Sequence, residues 1–273
     1  MYQKQPAIYI GYDPKEEIAF QTLVHSIQLT STNPNINIII LDQTALRACG
    51  LYRRAWKYSK VAQLADVWPD QKIDLFDNKP FSTDFSFTRF LIPHLNQYEG
   101  LALFMDCDMM VRSDIMEIFT LYDDPVHAIS CVWHEHEPKE KIKMNNQLQQ
   151  NYSKKNWSSF VLWNCSHSAH ANLTVDDVNT KSGWWLHNFR WLPKWEEGDN
   201  KGFPLIGQIP QDWNWLDGHS SSEIEAKNVH FTTGGPWFDG WKPKTKQDSY
   251  YAEEWEALKD KLIISQSVEE NVG

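Results

Sequence analysis

Three short apolar runs constrain what this chain can fold into: AIYIG (Ala7–Gly11), INIIIL (Ile36–Leu41) and LALFM (Leu101–Met105). Runs of this length, rich in Ile and Leu, suit strands buried on both faces better than helices. Between the first two, Pro14 follows Asp13, which fits a first helical position after a capping carboxylate. Ile18, Leu23, Val24, Ile27 and Leu29 then recur at helical spacing to about Thr30. Strand, helix and strand in that order predict an α/β domain whose central sheet is mixed and mainly parallel, flanked by helices.

Further along, Val126–Val132, Ser159–Trp163 and Val229–Thr232 read as strands. Phe85–Asn96 reads as a helix capped by Thr83 or Asp84, and Thr174–Asn179 as a short helix opened by its Thr. Tyr251, Trp255, Leu258 and Leu262 recur every three or four residues, which predicts a helix over about 250–262. The stretch from Asp42 to Asp84 is weakly periodic and reads mostly as loop. Trp133–Trp157 is polar and reads as a long excursion, and 183–207 as a second one. No internal repeat or low-complexity linker divides the chain, so one domain over 1–273 is expected.

Charge excludes one function class. Lys and Arg number 26 against 36 Asp and Glu, a formal net charge of −10, which lacks the basic face that phosphate neutralisation along a nucleic acid requires. No stretch of about 18 consecutive apolar residues is present, so no membrane span is expected. Met1–Pro6 is polar and no signal peptide is visible. Cys49, Cys107, Cys131 and Cys165 are widely spaced with no CxxC pair, which predicts reduced thiols and a cytoplasmic setting. Fourteen Trp exceed what core packing commonly calls for. Flat indole faces suit carbohydrate rings, so the surplus is read as a sugar-binding surface.

Asp106-Cys107-Asp108 carries the sharpest chemical signal. It follows directly on LALFM, at the carboxyl end of a buried strand, the edge where α/β sheets bind ligands. Two carboxylates two residues apart can reach one hard cation, and Mg²⁺ or Mn²⁺ in such places commonly also holds substrate phosphates. His230 ends another strand-like run and precedes Phe231-Thr232-Thr233-Gly234-Gly235-Pro236-Trp237. Borderline ions such as Mn²⁺ accept an imidazole beside carboxylates, and the paired glycines let backbone approach a phosphate.

Taken together, IYIGYDP (Ile8–Pro14), FSFTRFLIPHL (Phe85–Leu95), LALFMDCDMMV (Leu101–Val111), NWSSFVLWNC (Asn156–Cys165), IPQDWNWL (Ile209–Leu216) and HFTTGGPW (His230–Trp237) resemble the GT-A nucleotide-sugar glycosyltransferases. The order and spacing are similar to family-eight-like retaining enzymes, and to a bacterial and viral subgroup with SRFLVPHL-like and KNWSS-like segments. The resemblance implies a GT-A fold, a DXD metal motif and hexosyl transfer from a uridine diphosphate sugar to a glycan or other hydroxyl acceptor. It implies that Gly11, Tyr12 and Asp13 hold the nucleoside base and that Arg89 braces the acidic cluster or the donor phosphates. Asp106 and Asp108, with His230, would be the metal ligands, and Asp106 would also lie near the ribose. Ser158 and Ser159 would turn beside the donor sugar, with Gly234, Gly235 and Trp237 closing over the diphosphate. Gln211 and Asp212 match the segment that faces the reacting centre.

The sequence departs from that pattern in three places. No Lys stands before Pro236-Trp237, so Lys242, Lys244, Lys154 or Lys155 would have to serve the diphosphate. The small-residue turn is Ser-Ser-Phe where the pattern has Gly. Pro210-Gln211-Asp212 lacks one acid of the usual Asp-Gln-Asp. Gln211 is a poor nucleophile and Asp212 a better one, and the resemblance implies same-face attack within an ion pair.

Trp184, Trp185, Trp191 and Trp195, with His187, are read either as packing or as an acceptor platform. Trp213 and Trp215 flank Asn214, and alternation would put both indoles on one face, with one or more of them lining the acceptor side. His134-Glu135-His136-Glu137 reads as a solvated loop, because Pro138 disfavours a metal-binding helix there. Lys139, Lys141, Lys143, Lys154 and Lys155 read either as solvated surface or as a phosphate-attracting lid. Two rivals remain beside the transferase: a non-catalytic nucleotide- or sugar-binding protein, and a sugar-1-phosphate nucleotidyltransferase. The second ranks lower because Gly11-Tyr12-Asp13-Pro14 lacks a glycine-rich basic loop.

Overall fold

The computed structural model describes residues 4–59, 71–133, 142–143, 147–148, 158–193, 204–241 and 250–272. Strand β1 (Ala7–Gly11) passes through a 3-10 turn (Pro14–Glu16) into α1 (Glu17–Thr30), followed by β2 (Asn37–Leu41) and α2 (Gln43–Ala48). Three strands come next, β3 (Trp56–Ser59), β4 (Gln71–Asp74) and β5 (Pro80–Phe81), then a 3-10 turn (Thr88–Leu91) that runs into α3 (Ile92–Leu95). The middle of the chain holds β6 (Leu101–Met105), β7 (Met109–Val111), α4 (Met116–Leu121), β8 (Ile129–Val132), β9 (Ile142–Lys143) and β10 (Gln147–Leu148). The last part holds β11 (Phe160–Asn164), α5 (Val175–Thr180), α6 (Gly183–His187), β12 (Ile206–Ile209), β13 (Trp215–Leu216), β14 (Asn228–His230) and α7 (Ala252–Val272).

The central sheet has six strands in the order β12-β8-β11-β6-β1-β2. β11 runs antiparallel to both of its neighbours and every other pairing is parallel, so the sheet is mixed and mainly parallel as expected. β1 and β6 are apolar because helices and loops cover them on both sides. β2 corrects the expectation of a second buried strand: it lies at the sheet edge, only Leu41 is buried, and Ile40 is 51% exposed. An apolar run on an edge strand has one neighbour where an interior strand has two, so hydrophobicity alone did not place it.

A second, three-stranded sheet in the order β13-β14-β7 positions the site. The chain leaves the central sheet at Met105, crosses Asp106-Cys107-Asp108 and enters the second sheet at Met109. β14 pairs antiparallel with β7, with His230 opposite Met109. α7 covers this sheet through a cluster of Tyr251, Trp255, Trp215, Val229, Phe231, Met110 and Ala19. Tyr251 meets Trp215 edge-on at 4.9 Å, and Arg112 bonds both Glu254 and the Ala226 carbonyl. α7 reaches Val272, ten residues past the end read from the sequence, because Leu262 was the last periodic apolar residue and residues 263–267 beyond it are exposed.

Two local readings hold closely. Asp13 caps the turn before α1 through Lys15 N–H, and Thr174 and Asp177 form a reciprocal capping box at α5. Others change. The helix expected over Phe85–Asn96 is a short 3-10 segment plus a single turn of α-helix. Phe85 and Phe87 are drawn into the core and Pro93 sits at its first turn. The strand read from Val126 begins at Ile129, because Asp124 turns the chain through the Val126 and His127 N–H groups.

The stretch read as loop between Asp42 and Asp84 carries α2 and a three-stranded antiparallel sheet in the order β3-β4-β5. A buried ion pair anchors it. Arg54 donates to both oxygens of Asp74, at 3.0 and 2.6 Å, and to the Val178 and Lys181 carbonyls at the end of α5. Its guanidinium also lies 3.9 Å from the centre of the Phe87 ring. Burial pushes the Asp74 carboxyl up from its ordinary value, and Arg54 opposes that rise.

Five of the Trp are core. Trp163, Trp191, Trp213, Trp215 and Trp255 are buried, and Trp163 stacks on Trp191 with planes 2° apart. For these five the indole serves packing, which corrects their reading as part of a sugar surface. Among the described residues, no helix is long and apolar enough to cross a membrane.

Candidate metal and donor site

Asp106, Asp108 and His230 converge. One ligand atom from each lies within 4.8 Å of the others. Backbone pairing sets this up. Asp106 N–H donates to the Ser159 carbonyl, and Phe231 N–H donates to the Asp108 carbonyl, which stitches the Asp-x-Asp turn to β11 on one side and β14 on the other. The aspartate side chains are 13% and 16% exposed, so both face an opening, while His230 is 1% exposed behind them. His230 Nε2 is buried, makes no hydrogen bond and lies 3.3 Å from Asp108 Oδ1. A buried imidazole nitrogen aimed at two carboxylates is a donor set that fits a divalent cation, oxygen from two hard ligands and nitrogen from a borderline one.

Arg89, expected to brace the cluster or the donor phosphates, lies against Asp106. Its Nη1 stands 2.9 Å from Asp106 Oδ1 and donates to the Ser158 carbonyl at 2.7 Å. Burial pushes the guanidinium below its ordinary value, and Asp106 and Asp108 pull it back up. Cys107, between the two acids, is fully buried, and its thiol is pushed well above its ordinary value, first by burial and then by Glu16. It is a packed neutral thiol, bonded to Glu16 Oε2 at 3.7 Å.

The opening loop sits beside this turn. Gly11 closes β1 against the Phe85 ring so tightly that a Cβ there would come within 2.4 Å of it. Asp13 is 4% exposed and accepts from the Lys15 and Asp84 N–H groups through its two oxygens. Tyr12 is half-buried, packs edge-on to Phe20 and bonds Glu17. Ser158 and Ser159 are buried at the start of β11, where Ser158 Oγ is 2.9 Å from His187 Nδ1 and Ser159 Oγ accepts from Asn214 Nδ2 at 3.1 Å.

The closing turn is built by its glycines. Gly234, at φ +91°, donates its N–H to the Phe231 carbonyl. A Cβ on Gly235 would lie 2.1 Å from the Trp237 ring. Trp237 packs on Phe231 and Trp255, which ties the turn to α7.

Gln211 and Asp212, matched in sequence to the segment facing the reacting centre, lie in a short 3-10 turn (Gln211–Asn214), Gln211 exposed and Asp212 half-buried. Asp212 acts electrostatically on Lys227 and Tyr122. The residue of that turn that reaches the acidic cluster is Asn214, which sequence reasoning passed over. It is wholly buried, and its Oδ1 lies 2.9 Å from His230 Nδ1. Its signal was visible: an amide set between two Trp.

Trp213 and Trp215 correct the expectation that they share a face of the site. Both are 0% exposed, and they serve different clusters, Trp213 stacking on Phe160 and Trp215 packing on Tyr251. A 3-10 turn precedes Trp215, so the two-residue alternation of a strand does not apply. Neither offers a ring face to a sugar. On α6, Trp184 is 48% exposed with Arg190 over its ring, and Trp185 is half-buried between Lys181 and Trp191. His134–Glu137, Trp157, Trp195 and the lysines at 139, 141, 154, 155, 242 and 244 lie outside the described residues. Lys143 lies in β9.

No family model matches the chain. It is 41% identical over 259 residues to Protein CDI of Arabidopsis thaliana, a span of 93% of this chain and 86% of that protein. Among solved structures it is similar to the bifunctional glycosyltransferase WbbM, with a TM-score of 0.51 and 14% identity over 95% of this chain, which spans half of WbbM's length. It is also similar to an active-site mutant of LgtC, with a TM-score of 0.50 and 12% identity, over 93% of this chain and 95% of that one. At these identities the likeness shows the fold, which is the GT-A-like arrangement expected from the sequence.

Proposed function

This chain belongs to the family of Arabidopsis thaliana Protein CDI, and within that family we propose that it is a metal-dependent, retaining glycosyltransferase. It moves a hexose from a nucleoside diphosphate sugar, a uridine diphosphate sugar, to a glycan or other hydroxyl acceptor. The observation that carries this reading is the convergence of Asp106, Asp108 and His230 at the link between two sheets, with Arg89 against Asp106. The fold shared with WbbM supports it.

Asp106, Asp108 and His230 would hold Mn²⁺ or Mg²⁺, and the imidazole favours Mn²⁺. When bound, the cation neutralises charge that develops on the departing diphosphate. Arg89 adds a fixed positive charge that needs no reorganisation as that charge grows. Gly11, Tyr12 and Asp13 form the base pocket. Asp13 shapes the loop through its two backbone amide bonds. Ser158, Ser159, Gly234, Gly235 and Trp237 border the donor, and Gln211 and Asp212 supply the reacting face, with same-face attack on an oxocarbenium-like centre. Trp184 and Trp185 form the acceptor side. Cys49, Cys107, Cys131 and Cys165 are all free thiols, which suits a reducing cytoplasm.

Titration calorimetry with uridine diphosphate, with and without Mn²⁺, tests the reading. We expect nucleotide binding that needs the ion in the wild type and is lost in Asp106→Ala and Asp108→Ala. Metal-independent nucleotide binding, or transfer that survives in either variant at limiting Mn²⁺, refutes it. Slow hydrolysis across a panel of nucleotide sugars then identifies the donor.

A further inference from the structure

Consecutive serines at the start of β11 engage two different histidines. Ser158 holds His187 on α6, while Ser159 faces His230 on β14, with its Oγ 3.5 Å from Nδ1. Asn214 lies between Ser159 and His230. Its Nδ2 donates to Ser159 Oγ at 3.1 Å and its Oδ1 stands 2.9 Å from His230 Nδ1. An amide oxygen only accepts, so in this arrangement Nδ1 carries the imidazole proton. Nε2 then keeps its lone pair, and Nε2 is the nitrogen 3.3 Å from Asp108 Oδ1.

We propose that Asn214 is a positioning residue for the metal centre: it locks His230 in the Nδ1–H tautomer and aims Nε2 at the cation. Partners of this kind, bonded to the far nitrogen of a ligating histidine, fix its tautomer and ring orientation. A neutral amide does this without adding a further buried negative charge to a site that already gathers Asp106 and Asp108. In this arrangement Ser159 Oγ accepts from Nδ2, which holds the amide beside the ring with Oδ1 towards Nδ1. The 3-10 turn over Gln211–Asn214 is what delivers the amide, with Trp213 and Trp215 anchored in separate clusters on either side of it. This inference rests on the cation-site reading above.

The test is nitrogen NMR of metal-free, ¹⁵N-histidine-labelled protein at about pH 8, where an ordinary imidazole is neutral, with His230→Gln to assign the signal. Mn²⁺ titration of the same samples, without nucleotide, gives affinity. The expected wild-type spectrum has a protonated Nδ1 and a bare Nε2. Asn214→Ala should lose that tautomer preference and bind Mn²⁺ about 10- to 100-fold more weakly. Asn214→Asp, which still accepts from Nδ1, should restore the tautomer and most of the affinity. Ser159→Ala removes the bond that holds the amide beside the ring and should weaken the tautomer preference in a folded protein, which keeps the test alive if Asn214→Ala does not fold. A wild type with Nε2–H that still binds Mn²⁺ overturns the role of Asn214 and leaves the cation site standing. So does a folded Asn214→Ala with unchanged affinity. A wild type with Nδ1–H that binds no Mn²⁺ overturns the cation site, and this role with it.

Discussion

Arg89, itself buried, pairs with Asp106, with Nη1 2.9 Å from Oδ1, and the same guanidinium donates to the Ser158 carbonyl. It therefore ties the turn after β6 to the start of β11, two of the segments from which the site is built. Removing one partner of a fully buried pair costs about 3–5 kcal/mol, an upper bound here because Asp106 faces an opening. Arg89→Met should lower stability by up to that much in urea unfolding. Arg89→Lys should lose less, because it keeps the charge but not the fork geometry. A loss below about 1 kcal/mol in Arg89→Met, the scale of an exposed pair, would show that the pair is not held as described.

His170 gives the fold a pH dependence separate from the site. It is 0% exposed, bonds the Ala128 carbonyl through Nε2 and packs on Trp163. Burial lowers its pKa from 6.5 to about 4. Between those values the unfolded chain binds the extra proton, so stability rises with pH across the window and is lost as pH falls from about 6.5 towards 4. The full contribution is about 3 kcal/mol. In urea titrations from pH 4 to 7, His170→Gln should flatten this slope by close to one proton, and an unchanged slope would place the acid sensitivity elsewhere.

The indoles divide into two groups with opposite predicted effects. Trp213 is fully buried against Phe160, so Trp213→Ala should cost about 3–5 kcal/mol of stability. Trp184 is 48% exposed, so Trp184→Ala should stay within about 0.5 kcal/mol of wild type. If α6 forms the acceptor side, the same Trp184 variant should raise the acceptor KM and leave the donor KM unchanged. Equal effects on both substrates would remove Trp184 from the acceptor side.

Gly11 is set by packing. A Cβ there would meet the Phe85 ring at 2.4 Å, so Gly11→Ala should destabilise by about 1–3 kcal/mol as an overpacked site. Adding Phe85→Leu should recover part of that loss, because the clash is with the ring. A double variant whose losses simply add would refute the contact as the cause.

Much of this was legible along the chain because it is local. The apolar runs at Ala7–Gly11 and Leu101–Met105 mark interior strands whatever surrounds them. Thr174 with Asp177, and Asp13 with Lys15, are caps formed by residues a few positions apart. Asp106 and Asp108 could be singled out because a carboxylate pair at the end of a buried strand has few structural reasons to be there.

What the chain by itself left open depends on contacts between distant segments. Whether INIIIL is an interior or an edge strand turns on which strands pair with it, and among the described residues only β1 does. Whether Trp213 and Trp215 bind sugar or fill the core turns on what α7 and β11 bring against them. Asp106-Cys107-Asp108 proved to be a crossing between two sheets, and it is β14 pairing with β7 that carries His230 to Asp108. Hydrophobic pattern and capping are read from neighbours in sequence. Asn214 matters because of hydrogen bonds to residues far away in the chain, and only the tertiary structure supplies those partners.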